Sequence, residues 1–468
     1  MGTPPQELSL RIDIAQPYVW TRSRQSLPVC ANGQTPNNTF ECDSGIGAFN
    51  QSASSSYYDE NNWQRLIFLD YVWVNGTMSQ DTLAFDQAFN VDINGSETRN
   101  LTVNEINFIN ANDSRVPMGG LGLSSKFDDS NNDYNTNFLD ILKDQHVINS
   151  SSFSLYHKDD SSADLMLGGV NQDYYVGDFV VFDKQPYWDN RENKLVNDYP
   201  ILPLSSLMVS NARGQTAYIS TSNNTEPVLI DTRSSYNYLP YSMVVALAVQ
   251  LNAFYSNDID VWLLKCSITN LNATIGFQFG NVTVNVPIDE MINPAYTSSG
   301  NETLVFDDGE EACLLLVTPN YYFGYSVLGS PFFKSAYIAV DNEANKIAIA
   351  QAAKGNHTRE QSSTTTDFAA SAISSGHIPF ASPNNITQLY TMRFDQSSIK
   401  SSAQPDMVTV SITNGEVFTG RVQPSNSSSM SSSASGGGVQ LNNHYNNGNS
   451  VLGYVFSFIT VVGLGILL

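Results

Sequence analysis

The chain has 468 residues, enough for two domains with hydrophobic cores. Apolar residues make up 41 % of it, charged residues only 14 %, and the formal net charge is −23. Because so negative a protein repels a phosphate backbone, a nucleic-acid partner is excluded. The sequence has no phosphate-binding glycine loop and no Cys/His cluster, and its 5 histidines are scattered, so neither a cofactor nor a metal is expected.

The first predicted strand delivers a buried acid. In LRIDIAQPYVW, residues 10–20, an apolar run leads to Asp13, and a turn then leads to Tyr18 and Trp20. VLIDTRSSYNYLP, at 228–240, repeats the arrangement around Asp231, and a hydrophobic–glycine run follows each acid further along the chain, MGGLGLS at 118–124 and SVLGSPFF at 326–333. This weak repeat predicts two similar lobes that each present one acid to a central cleft.

Residues 1 to about 353 alternate short apolar runs with Gly, Asn, Pro and Ser turns, which predicts a mainly β protein. Helical spacing occurs in NFLDILKDQHVI at 137–148 and YSMVVALAVQLNAFY at 241–255. From about residue 354 to residue 450, Ser, Thr and Asn dominate. Such a segment buries too little apolar surface to order itself, so a disordered stalk is expected there.

The cysteines form a near pair in each half of the chain: Cys30, Cys42, Cys266 and Cys313. Four cysteines allow three connectivities, of which Cys30–Cys42 with Cys266–Cys313 closes the shortest loops; four free buried thiols are the alternative.

Fourteen Asn-x-Ser/Thr sequons favour a glycosylated, oxidising environment, and they include Asn37, Asn75, Asn100, Asn272 and Asn301. No charged or apolar leader precedes GTPPQ at 2–6, so the N-terminus is expected to be truncated or numbered without its leader.

The C-terminus carries the pattern of a glycolipid (GPI) anchor signal. Small residues, SASGGG, precede a polar spacer, VQLNNHYNNGNS, and then an apolar tail, VLGYVFSFITVVGLGILL at 451–468. A plain membrane span is the alternative, but such spans usually have basic residues after them, and none follow here. Gly436 is the candidate attachment residue, with Ser435 or a nearby Asn as alternatives. The signal predicts a protein on the outer face of the plasma membrane or in the cell wall, without this tail.

These motifs resemble the pepsin-like aspartic protease family, and within it the fungal GPI-anchored yapsins. The resemblance covers about residues 1–353 and includes the cysteine loops and the position of Trp20, seven residues after Asp13. Its other landmarks are GTPPQELSLRID at 2–13, SQDTLAF at 79–85, ADLMLGGVNQDYYVGDF at 163–179 and VLGSPFFKSAYIAVDNEANKIAIAQA at 327–352. It implies a monomeric bilobal fold with an N-terminal lobe at 1–185, a C-terminal lobe at 186–353, and a polypeptide bound in the cleft between them.

The resemblance also implies a mechanism. Asp13 and Asp231 would share one proton, because two adjacent carboxylates do not both ionise readily. The ionised acid would activate a water, and the protonated acid would stabilise the oxyanion that forms on the peptide carbonyl. In the family's Asp-Thr-Gly-Ser/Thr motifs, the Thr hydroxyls lock the two loops together and the fourth residue bonds the carboxylate. Thr232, Ser234 and Gln16 are therefore expected as supporting residues.

The motifs also depart from the family pattern. Ile14 replaces a hydrogen-bonding Thr, and Ala15 replaces a Gly. Arg233 replaces the other Gly and places a cation beside the pair, which favours ionised carboxylates and opposes the shared proton.

The flap stretch, FLDYVWVNGTMSQD at 68–81, lacks the family's glycine-rich turn, and Tyr71 is its candidate flap residue, an ordinary strand tyrosine being the alternative. Three interpretations stay open: an aspartic endopeptidase with altered activity, a pseudo-protease that binds peptide or wall polymer, and a structural wall glycoprotein.

Overall fold

The computed structural model describes residues 1–24, 47–67, 72–92, 95–114, 116, 118–126, 137–159, 162–190, 193–220, 225–256, 259, 261–296, 302–354, 370–386, 388–393 and 461–466. Several residues assigned roles from the sequence lie outside the described residues: Cys30, Cys42, Tyr71, Gly436, Ser435 and the sequons at Asn37 and Asn301.

The described residues of the first part of the chain form ten strands and one α-helix. Strands β1 to β10 are Leu10–Asp13, Trp20–Arg22, Tyr58–Ile67, Trp73–Asp92, Gly95–Ser114, Gly119–Gly122, Ser152–Asp159, Ser162–Leu167, Gly169–Asn171 and Tyr175–Asp183. Helix α1, Phe138–Asp144, begins after Asn137, whose side chain accepts a hydrogen bond from the backbone N–H of Asp140 at 2.8 Å.

The middle of the chain forms fifteen shorter strands. Strands β11 to β25 are Tyr187–Asp189, Lys194–Val196, Ile201–Leu204, Ser206–Ser210, Thr216–Tyr218, Glu226–Ile230, Asn237–Leu239, Phe254–Ser256, Val261–Lys265, Thr274–Phe279, Val282–Pro287, Ile292–Pro294, Ala312–Leu315, Val317–Pro319 and Ser326–Leu328. The two helices here are α2, Tyr241–Gln250, and α3, Ser330–Phe333.

Six strands follow, and the short 3₁₀ helices complete the secondary structure. Strands β26 to β31 are Ala336–Asp341, Lys346–Ala352, Ala370–Ala372, Ser382–Pro383, Met392–Arg393 and Val461–Ile466. The 3₁₀ helices are Gln51–Ala53, Gln172–Tyr174, Cys266–Leu271, Ile288–Met291 and Asn320–Tyr322.

The sheets confirm the mainly β prediction and follow the two halves of the chain. One large sheet has the order β1-β6-β2-β5-β4-β31-β8-β7-β26-β27-β10-β29, with β3 paired to β4. The second half adds three larger sheets, β13-β16-β25-β17-β24, β15-β14-β20-β21 and β18-β19-β23-β22, and two small sheets, β12-β11-β30 and β28-β9, include strands from beyond residue 354. Strands β26 and β27, predicted as the end of the C-terminal lobe, pair with β7 and β10, so the chain returns to join the two halves.

The disulfide between Cys266 and Cys313 is formed, with 5.1 Å between the two Cα atoms. It links the residue that follows β19 to β23, next to the point where these strands pair. The bridge therefore fastens together, at one end, the two central strands of the sheet β18-β19-β23-β22.

Part of the predicted stalk packs on the body of the molecule. We call residues 370–386 and 388–393 the C-terminal strap. Its three strands pair with β9, β10 and β11, and three of its apolar side chains are buried, namely Ile373, Ile378 and Met392. Polar composition outweighed these few anchors in the sequence prediction. Within the predicted tail, β31 lies between β4 and β8 and is parallel to both.

The strap generates the first prediction. Ile373 is 0 % exposed and packs with Val170, Tyr337 and Ala350. Ile373→Ala should lower the free energy of unfolding by about 2–5 kcal/mol, because it removes buried methylenes and leaves a cavity. Leu389→Ala is the matched control, since Leu389 is 55 % exposed on the same strap. Denaturant unfolding measures both variants, and equal, small losses would contradict the packed strap.

Candidate active site

The two predicted acids stand on equivalent pieces of structure. Asp13 ends β1, which runs parallel to β6, and Asp231 follows β16, which runs parallel to β25. Both acids are buried, with 2 % and 4 % exposure. The weak sequence repeat is therefore a repeat of structure, with an acid at the end of one strand of each parallel pair.

A glycine allows a close backbone approach beside each acid. A Cβ on Gly122 would lie 2.5 Å from the backbone carbon of Pro17, and a Cβ on Gly329 would lie 2.4 Å from the carbonyl oxygen of Ser234. Neither contact is possible for a side chain, so both positions need glycine. The two hydrophobic–glycine runs of the sequence thus hold the loops that carry the acids.

Each carboxylate accepts a hydrogen bond from the backbone two residues further on. The N–H of Ala15 donates to Asp13 Oδ1 at 3.1 Å, and the N–H of Arg233 donates to Asp231 Oδ1 at 2.8 Å. Both donors are backbone N–H groups, so the contacts persist although Ala15 and Arg233 replace the glycines of the family motif. Backbone donors stabilise the ionised form of each acid.

Thr232 supplies one half of the lock between the two loops. Its hydroxyl donates to the carbonyl of Ile12 at 2.7 Å and accepts from the N–H of Ile14 at 3.4 Å. The equivalent position, Ile14, is 1 % exposed and has no hydroxyl. The lock is therefore one-sided.

The other two supporting residues behave differently from the family expectation. The Ser234 hydroxyl donates to the carbonyl of Tyr236 at 2.7 Å, which uses its one proton away from Asp231. The backbone carbonyl of Gln16 accepts a hydrogen bond from the N–H of Ser124 at 3.0 Å. The buried side-chain nitrogen Nε2 of Gln16 has no hydrogen-bond partner among the described residues. Neither side chain makes the contact expected of the fourth motif residue.

Arg233 lies against both acids. Its Nε is 2.7 Å from Asp13 Oδ2 and 3.8 Å from Asp231 Oδ1. The side chains of Arg233 and Asp13 are only 8 % and 3 % exposed. The Nε–H is not aligned with either oxygen as in a hydrogen bond, so these contacts are ion pairs by distance. With so little solvent between them, the charges attract strongly.

Arg11 was not foreseen as part of the site. Its Nη2 donates to the backbone carbonyl of Arg233, which connects β1 to the second loop. The LRID run was interpreted only as an apolar strand, and a single arginine within it gave no indication of a partner so distant in the sequence.

The guanidinium changes the charge balance of the site. Two carboxylates that share one proton carry one net negative charge, and two ionised carboxylates with one guanidinium carry the same net charge. Arg233 can therefore take the electrostatic place of the shared proton. A guanidinium does not lose its own proton at ordinary pH, so it cannot replace that proton in a transfer step.

A buried lysine supports the loop that carries Asp13. Lys184 Nζ donates to Ser125 Oγ at 2.8 Å and to Asn342 Oδ1 at 2.9 Å. Asn342 in turn donates to the carbonyl of Leu123 at 2.9 Å, and the N–H of Leu123 donates to the carbonyl of Asp13 at 2.8 Å. This network ties the turn between β26 and β27 to the first acid. Sequence reasoning missed it, because an isolated Lys normally lies on the surface.

No group of His, Cys, Asp and Glu suited to hold a metal ion occurs among the described residues.

The sequence is similar to those of known aspartic proteases. The family model for eukaryotic aspartyl proteases matches residues 1–352. Aspartic proteinase yapsin-7 of Saccharomyces cerevisiae is 31 % identical over 90 % of this chain and 76 % of its own length. The probable aspartic-type endopeptidase opsB of Aspergillus oryzae is 26 % identical over 77 % of this chain and 68 % of its own. Barrierpepsin of Saccharomyces cerevisiae is 24 % identical over 84 % of this chain and 66 % of its own.

The lysine network generates a prediction about pH. Burial lowers the pKa of Lys184 from 10.5 to about 7, against the opposing effect of Asp198 and Asp341. Between these two pH values the unfolded chain holds a proton that the folded chain lacks, so stability rises with pH. Relative to Lys184→Met, the free energy of unfolding of the parent should increase by up to about 1.4 kcal/mol for each unit by which the pH rises in this window. Below the window the difference should not change with pH.

Denaturant unfolding at a series of pH values measures the difference. Lys143→Met is the matched control, because its hydrogen bond with Glu343 raises the pKa of Lys143 above 10.5 and predicts a constant difference across the same window. A constant difference for Lys184→Met as well would contradict a lysine that is buried without its charge above about pH 7.

Proposed function

Because the chain belongs to the eukaryotic aspartyl protease family, we propose that it is a cell-surface aspartic endopeptidase whose activity Arg233 restrains. The observation that carries this proposal is the pair of buried acids, Asp13 and Asp231, held by matching backbone donors around one shared space. The substrate is a polypeptide, and the reaction is hydrolysis of a peptide bond.

In the proposed reaction, one carboxylate takes a proton from a bound water as that water attacks the peptide carbonyl. The other acid, protonated, donates to the oxygen on which negative charge develops. The pair titrates as a unit, so the two roles are not fixed to one residue each. The reaction requires one proton in the pair at the moment of attack.

Arg233 opposes this requirement. An ion pair of 2.7 Å with Asp13 favours the ionised carboxylate, so placing a proton on the pair must compete with a buried guanidinium. Activity is then low and displaced towards more acidic conditions than for the usual motif.

The same ion pair favours a second candidate function. If the guanidinium keeps both acids ionised wherever the protein is folded, the chain is a pseudo-protease that binds peptide or wall polymer without cutting it. The loss of one side of the lock at Ile14 and the diversion of the Ser234 hydroxyl support this alternative, since both weaken the framework around the acids.

A location at the cell surface is supported by the relatives and by the C-terminal sequence. Two of the matching proteins are named secreted aspartic proteases of Candida albicans, at 26 % and 25 % identity. The small-residue, spacer and apolar-tail order before Leu468 fits a GPI signal. In the described part of the chain, no helix is both long enough and apolar enough to cross a membrane.

A double substitution tests the restraint on activity. Arg233→Gly removes the guanidinium but keeps the backbone N–H to Asp231 and the carbonyl that Arg11 contacts. Ile14→Thr restores the missing hydroxyl of the lock, a hydrogen bond of about 1 kcal/mol. The double variant should cleave a peptide library at acidic pH at least about tenfold faster than the parent, equivalent to about 1.4 kcal/mol of barrier.

Arg213→Gly is the matched control, since it removes an exposed arginine from the second half of the chain and should leave the rate unchanged. Asp231→Asn should abolish cleavage in every background. Equal rates in parent and double variant would show that Arg233 does not restrain catalysis, and no cleavage by either would favour the pseudo-protease.

The anchor is tested separately in cells. Treatment with a phospholipase that cuts GPI anchors should release the protein into the soluble fraction, and mass spectrometry should find no peptide from residues 451–468. A protein that stays bound to the membrane and still carries this peptide would contradict the anchor, whatever its activity.

A further inference from the structure

One face of the β3–β4 hairpin exposes large apolar side chains. Trp63 and Ile67 on β3 are 57 % and 54 % exposed. The opposite face of the hairpin is buried, since Val74 and Met78 are 0 % and 3 % exposed and pack against Trp20. Two large apolar side chains exposed on one face of a strand, with Arg65 between them, form a surface that a bound group can cover.

A glycosylation sequon lies in the middle of this face. In the register of the hairpin, Ile67 pairs with Trp73, Arg65 with Asn75 and Trp63 with Thr77. Residues directly opposite each other in an antiparallel pair share a face, so Asn75 and Thr77 of the sequon lie beside the exposed residues. Val74 and Gly76 lie on the buried face because side chains alternate along a strand.

Asn75 is partly exposed on this face of the hairpin. Its carbonyl oxygen Oδ1 is buried and has no hydrogen-bond partner in the described part of the chain. Gly76, on the opposite face, packs closely, since a Cβ there would lie 2.3 Å from the carbonyl oxygen of Asn110.

We propose that Asn75 carries an N-linked glycan whose first sugars lie on Trp63, Ile67 and Trp73 and cover this face of the hairpin. Asn-Gly-Thr is an acceptor sequence for such glycans in secreted proteins. The C–H faces of pyranose rings are apolar and pack on the electron-rich face of an aromatic ring, which makes the exposed Trp63 and the half-buried Trp73 suitable contacts. The proposal rests on the secretory location argued above.

The covalent step is a transfer from a polyisoprenyl diphosphate-linked oligosaccharide. A bond forms between Asn75 Nδ2 and C1 of the first sugar, and the bond between C1 and the diphosphate oxygen breaks. The amide nitrogen gives up one proton, and the lipid diphosphate leaves with the bonding electron pair. No oxidation or reduction takes place.

The full chain expressed in a yeast host tests occupancy. Digestion with an amidase that releases N-glycans in H₂¹⁸O converts each modified Asn to ¹⁸O-labelled Asp, and peptide mass spectrometry should find this label at Asn75 in most molecules. If other sequons such as Asn272 are labelled and Asn75 is not, the proposal fails while the secretory location stands. If no sequon is labelled in protein from these cells, both fail.

The contact with the tryptophan is tested by a double-mutant cycle on the glycosylated protein. Asn75→Gln should lower the midpoint of thermal unfolding by about 2–4 °C in the parent, a typical shift for one lost contact in a domain of this size, and by less than half of that in a Trp63→Ser background. Asn272→Gln is the matched control and should show the same effect in both backgrounds. Equal effects of Asn75→Gln in both backgrounds would show that the glycan does not rest on Trp63.

Discussion

Two buried carboxylates facing one buried guanidinium form the interaction around which the rest of the site is organised. Removing a partner from such a cluster leaves an uncompensated buried charge, which is strongly destabilising. The two parallel strand pairs, the glycines beside the acids and the contact from Arg11 to the Arg233 carbonyl together fix the positions of these three charges. The electrostatic balance thus couples the first loop to the second, in addition to the one-sided Thr232 lock.

This balance links stability to catalysis. A shared proton and a guanidinium are alternative ways to offset the repulsion between Asp13 and Asp231, but only the proton can be transferred to a substrate. A site that uses the guanidinium therefore gains a stable ionised state at the cost of its reactive one. The endopeptidase and the pseudo-protease have the same fold. They differ in the fraction of molecules in which the acid pair holds a proton beside Arg233.

The sequence predicted those features that depend on local pattern. Apolar runs and turns predicted the mainly β class and the strands around Asp13 and Asp231, because such features depend on residues close together in the sequence. The ordered landmarks along the chain predicted the family. The contacts that sequence reasoning missed join residues far apart in the chain. Lys184 contacts Asn342 in the turn between β26 and β27. Ile373 is buried by residues of β9, β26 and β27, which lie far from it in the sequence. The motif position of Ser234 predicts a hydrogen bond to Asp231, but its hydroxyl donates to the carbonyl of Tyr236.

Counting the protons on the acid pair shows whether Arg233 replaces the shared proton. Carbon-13 NMR titration of labelled aspartate carboxyls, assigned with Asp13→Asn and Asp231→Asn, reports the protonation of each acid. At about pH 3, which lies between the two pKa values of a carboxylate pair that shares one proton, the parent should hold none and Arg233→Gly should hold one. A shared proton in the parent, unchanged in Arg233→Gly, would show that the guanidinium of Arg233 does not replace that proton.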